Sequence, residues 1–195
     1  MNQFNDLTLP LRQIFYGNLV MCAAIAFYIV WWVLSKGCTI NSGADMLIVV
    51  ILLLGMAAIL TIAVGINTLT HVGNGIPILY FPAGAVLAFI ILLLITTIGF
   101  HRMVTSELLL ITVWTSIETA AIMALKSSGR FGTGSIAVLV IFTFFAFATG
   151  VVCYILHYRL DEPMRFWNGL IPLVTDGCVG VLFMVILALF RSSTT

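Results

Sequence analysis

Apolar residues fill long blocks of this chain, at about 14–34, 45–69, 82–100, 108–125, 135–156 and 170–190, separated by short breaks that hold most of the charged residues. The blocks lack the regular polar alternation of a half-buried strand. At about 1.5 Å of rise per residue, each is long enough as a helix to cross a hydrocarbon layer of about 30 Å. Backbone groups in lipid must find hydrogen bonds within their own segment, so the blocks predict α-helices, and an outer-membrane barrel is excluded. The expectation is an all-α, polytopic integral membrane helical bundle with six transmembrane helices in one domain.

The remaining segments are short. Residues 1–13, with Asp6, Pro10 and Arg12, read as a tail too small to be a domain. Residues 67–81 carry Gly73, Gly75 and Pro77 before Ile78, Leu79, Tyr80 and Phe81. They fit a plain turn whose aromatic end marks the headgroup zone, with a re-entrant loop as the alternative. Trp31 with Trp32, and Tyr158 with Trp167, read as further interfacial aromatics.

Composition agrees with a bilayer and narrows the partners. Of 195 residues, 62% are apolar and 8% charged, with a mean hydropathy of +1.21. A water-soluble fold would have too few polar side chains to cover itself. With a net charge of +1 and no basic run, nucleic acid is not an expected partner. Orientation is poorly marked. Six spans put both termini on one side with Arg12, Lys126, Arg130 and Arg191, against Lys36, Arg102, Arg159 and Arg165 opposite, an even division of the eight bases. The short N-terminal tail tips the reading toward cytoplasmic termini.

Candidate chemistry rests on two acids. Glu118, in Trp114-Thr115-Ser116-Ile117-Glu118-Thr119, lies about 16 Å along the fourth span. Asp176, in Pro172-Leu173-Val174-Thr175-Asp176-Gly177, lies about 12 Å into the sixth, measured from the same side. A carboxylate at that depth costs about 2.5 to 3.5 kcal/mol on insertion scales, so such groups face the bundle interior, a partner or water. No lysine or arginine in any span neutralises them. Brought together in a poor dielectric, the two could not both ionise and would share a proton, which suits proton coupling or cation binding. Thr115, Thr119 and Thr175 could add oxygen ligands, and Pro172 frees a backbone carbonyl. The competing reading makes each acid a protonated hydrogen-bonding link between helices. Thr112, Ser116, Ala120 and Ala124 recur every four residues and predict a close-packing stripe, with Ala146 and Gly150 a shorter one.

No cofactor is expected, although the histidines leave haem or a divalent metal open. His101 and His157 share one side of the membrane and are the weak candidates for metal ligands. Motifs of the G-x-S-x-G and phosphate-loop kinds are missing from the sequence. The function that fits best is a small membrane transporter or channel, proton- or cation-coupled through Glu118 and Asp176 and taking a small solute or ion. A non-catalytic anchor or assembly subunit is the alternative, and an enzyme is least favoured. The length suits either a homo-oligomer or a chain with a partner membrane subunit.

Overall fold

The computed structural model describes residues 3–37, 44–72, 84, 87, 90–91, 94–99, 106–157 and 159–192. All regular structure among them is helical: α1 (Gln3–Trp32) running into a π-helical turn (Val33–Gly37), α2 (Ala44–Val72), a π-helical turn at Ile95–Gly99, α3 (Ser106–Ser127), α4 (Thr133–His157) and α5 (Glu162–Ser192). Among the described residues, four stretches are long and apolar enough to cross a membrane, namely Leu9–Ser35, Leu47–Thr70, Thr133–His157 and Glu162–Phe190. The protein is thus an all-helical chain whose apolar helices suit a membrane. The expected third span, 82–100, and the expected loop at 67–81 lie largely outside the described residues, as does His101. The fourth expected span is α3, which is not one of the four.

Two helices extend well past their apolar blocks. α1 starts at Gln3, so most of the expected tail is helix and Pro10 lies within it. α5 starts at Glu162, not near 170. Glu162 and Pro163 suit a helix start, where a carboxylate meets the positive end of the dipole and proline loses no needed N–H. Arg165 completes that turn, donating to Glu162 Oε1 at 2.8 Å and to the Leu160 carbonyl at 3.1 Å. α3 ends where Gly129 takes a φ of 67°, a left-handed conformation that glycine adopts without a Cβ clash.

Packing runs round a closed ring: α1 meets α2, α2 meets α3, α3 meets α4, α4 meets α5, and α5 returns to α1. Neighbouring positions show how the helices run. Gly17 on α1 faces Ile62 and the Ala58 carbonyl of α2, while Gly65 on α2 faces Ile14 and the Pro10 carbonyl, so the two are antiparallel. Gly180 and Gly169 on α5 face Cys22 and Trp32 on α1, which is likewise antiparallel. A Cβ at Gly17 or Gly65 would run into its neighbour, so these glycines bring the α1 and α2 backbones together. Among the expected packing residues, Thr112, Ala120, Ala124 and Ala146 are buried, and Gly150 meets Ile111 across the α3–α4 seam.

The ring is filled at one end only. Toward the α3–α4 turn, Ile14, Ile62, Ile66, Leu69, Leu125, Leu139 and Phe183 are wholly or almost wholly buried in one cluster. Phe131 and Phe190 stack at 4.5 Å beyond it. Toward the opposite end the helices enclose space.

Candidate functional site

That space is a cavity of about 300 Å³ to which all five helices contribute. Met21, Ile25 and Tyr28 line it from α1, Ile51, Gly55 and Ile59 from α2, Trp114 from α3, Gly150, Cys153 and Tyr154 from α4, and Pro172, Leu173 and Asp176 from α5. Leu52 and Met56, 55% and 61% exposed, stand at its rim on α2.

Trp32, His157 and Asn168 form the end remote from the packed core. Trp32, the expected interfacial anchor, is turned inward and buried. Its indole Nε1 donates to the Phe166 carbonyl at 3.2 Å, its ring meets His157 edge-on at 6.3 Å, and it lies over Gly169, where a Cβ would overlap it. Asn168 is buried beside it and donates through Nδ2 to the Cys153 carbonyl at 2.7 Å, tying α5 to α4.

The two acids sit at the deep end. Asp176 is half-buried in the cavity wall, about 12 Å beyond Asn168 along α5. Glu118 follows Trp114 by one helical turn on the same face of α3, is 0% exposed, and has no hydrogen-bond partner for either oxygen among the described residues. The Asn168–Cys153 and Gly150–Ile111 contacts set the register of α3, α4 and α5, and it places Asp176 and Glu118 within about one helical turn of each other in depth. Asp176 thus lies at the cavity, and Glu118 lies behind its lining.

Other polar groups are buried beyond the inner end of the cavity. Asn18, one turn before Cys22, is completely buried; its Nδ2 donates to the Ile14 carbonyl at 3.1 Å and its Oδ1 accepts no bond among the described residues. Gly180 of α5 packs beside it, where a Cβ would make an ordinary contact with that oxygen but press on the Cys22 sulfur. Thr143 on α4 is buried, and its Oγ1 has no hydrogen-bond partner among the described residues. The Gly150–Ile111 contact sets the antiparallel register of α4 and α3, and seven residues along each helix from it stand Thr143 and Glu118, at the same depth. Cys22, Glu118 and Thr143 thus lie near the inner end of the cavity, with Asp176 in its wall and Asn18 deeper, at the level where Gly17 meets Ile62 of the apolar plug.

The threonines expected to assist are engaged elsewhere. Thr115 donates to the Ile111 carbonyl at 2.8 Å, Thr119 to Thr115 at 2.7 Å and Thr175 to Pro172 at 2.9 Å. None of the three lines the cavity, and Thr119 is exposed. His157 lies at the cavity's outer end, and no group of three or more metal-ligating side chains occurs among the described residues. Sequence reasoning missed Asn18, Thr143 and Asn168. A lone amide or hydroxyl inside an apolar block was the available signal, and it is weak because such groups commonly bond their own helix.

Buried polar atoms usually have partners, and a carboxyl group without one costs more than a neutral amide. A cluster of such atoms under a cavity is thus suited to exchanging protons or receiving a polar group. No known protein family, curated protein or solved structure matches the chain.

Proposed function

We propose that the protein is a small membrane transporter or channel in which Glu118 and Asp176 respond to protons or a cation. In this reading the chain has six spans, namely the five described helices and the segment 82–100, with both termini on the cytoplasmic side. The observation that carries the reading is the cavity walled by five helices, with Asp176 in its wall and the fully buried Glu118 one turn behind Trp114. Acidic side chains within a bilayer commonly mark ion or proton pathways. The apolar cluster beyond the cavity supports the same reading, because a binding cavity next to a closely packed plug suits gated passage.

The test is proton flux in liposomes containing purified protein and a trapped pH-sensitive dye. An imposed gradient should collapse faster than in empty liposomes, and Glu118→Gln should slow the collapse about tenfold or more. Asp176→Asn should do the same. Wild-type flux in both variants, with unchanged helical content, would exclude the pair from the function.

A further inference from the structure

We propose that the cavity is a binding site for a small amphiphilic monocation, whose apolar body lies among the aromatic and aliphatic walls and whose charge rests on Asp176. The inference deepens the transport reading by naming a substrate class, and rests on it for the idea that the ligand crosses the membrane.

The chemistry of the lining selects this class by elimination. An inorganic cation needs several oxygen ligands in place of its water shell. The cavity has one carboxylate, and Thr115, Thr119 and Thr175 are turned to their own helices outside it. An anion would need a basic partner, and no lysine or arginine lines the cavity among the described residues. A proton alone needs no cavity of about 300 Å³. A neutral apolar solute gives no reason for an acid in the wall, whose burial is unfavourable without a counter-charge.

An organic cation satisfies each feature. Its body replaces empty space against Met21, Ile25 and Leu173, and the rings of Tyr28 and Trp114 favour a positive group through their π-electrons. The volume is at the small end of ligand pockets, about 300 to 1,000 Å³, which limits the body to roughly one ring or a few short alkyl arms. Asp176 at the deep end sets the pose, head group inward and body toward the Trp32 end. Binding is an exchange: the carboxyl O–H of Asp176 breaks, its proton leaves to water, and the cation takes its place beside the carboxylate. Net charge in the site is unchanged, so the cation brings no uncompensated charge into the bilayer.

The experiment uses the full chain in detergent micelles and benzyltrimethylammonium as probe. Neopentylbenzene, in which carbon replaces the quaternary nitrogen, is the neutral isostere. Calorimetry in weak buffer should show saturable binding of the cation with release of about one proton per cation bound. Asp176→Asn should weaken cation binding about tenfold or more and abolish the release. Asp176→Glu should restore both, and the neutral isostere should bind Asp176→Asn as it binds the wild type. Equal binding of cation and isostere, or cation binding unaltered in a folded Asp176→Asn protein, would overturn the proposal. The liposome assay separates the two readings. Cation binding without Glu118-dependent flux leaves the site standing and removes the transporter, whereas Glu118-dependent flux without cation binding does the reverse.

Discussion

The two ends of this bundle are made by the same helices and differ in how closely those helices approach. At the closed end, α1 and α2 touch backbone to side chain through Gly17 and Gly65, and Ile62, Ile66, Leu69, Leu125 and Phe183 fill the interior. At the open end the inward positions hold Tyr28, Trp114, Tyr154 and Asp176, and the space between them is not filled. Lipid tails are as apolar as leucine, so apolar burial cannot drive helices together in a bilayer, and close packing and hydrogen bonds must. Small residues supply the first at the closed end. At the open end the Trp32–Phe166 and Asn168–Cys153 bonds hold the helix ends and leave the centre open.

Substitutions can break this contrast. The largest effect is expected from Phe183→Ala, which hollows out the plug; it should cost about 3 kcal/mol in reversible unfolding in mixed micelles and let protons leak through liposomes. A leak-free, fully stable Phe183→Ala would mean that the closed end is not a seal. Next is Gly17→Leu, whose side chain must displace Ile62 and push α1 from the Ala58 carbonyl. A loss of about 2 kcal/mol is expected, with little change if the seam is loose. Trp32→Phe removes the bond to Phe166 but keeps a ring over Gly169, so stability should fall by about 1 kcal/mol. Hydrogen exchange at the first turns of α5 should rise in that variant, whereas exchange at Phe183 should not. The smallest effect belongs to Thr119→Val on the outer face of α3, within about 0.5 kcal/mol of wild type and with normal proton flux. Impaired flux in Thr119→Val would return that hydroxyl to the pathway and weaken the contrast between inward and outward faces.

Helix extents illustrate one limit of the sequence. α2, α3 and α4 end within about two or three residues of their apolar blocks, because hydropathy and helix coincide there. α1 and α5 run beyond theirs, since polar and aromatic residues such as Arg165 and Trp167 continue a helix as readily as they end one. Depth was also legible for the acids: one rise per residue puts Glu118 and Asp176 at similar levels before any packing is known.

The sequence by itself determined the helical class, the apolar blocks that suit a bilayer, and the two acids as the groups needing an explanation, since these follow from backbone bonding and the cost of charge in hydrocarbon. Only the tertiary structure decided which side of each helix faces inward. On α2, Ile62 is 0% exposed and Leu60 62%, yet the two are nearly the same in hydropathy. In water the apolar face of a helix declares its burial. In lipid both faces are apolar, so inward and outward are separated by shape, by the bonds Asn168 and Trp32 make, and by where Gly17 and Gly65 allow backbones to meet. The cavity, the place of Asp176 in its wall and the burial of Asn18 and Thr143 arise from that arrangement.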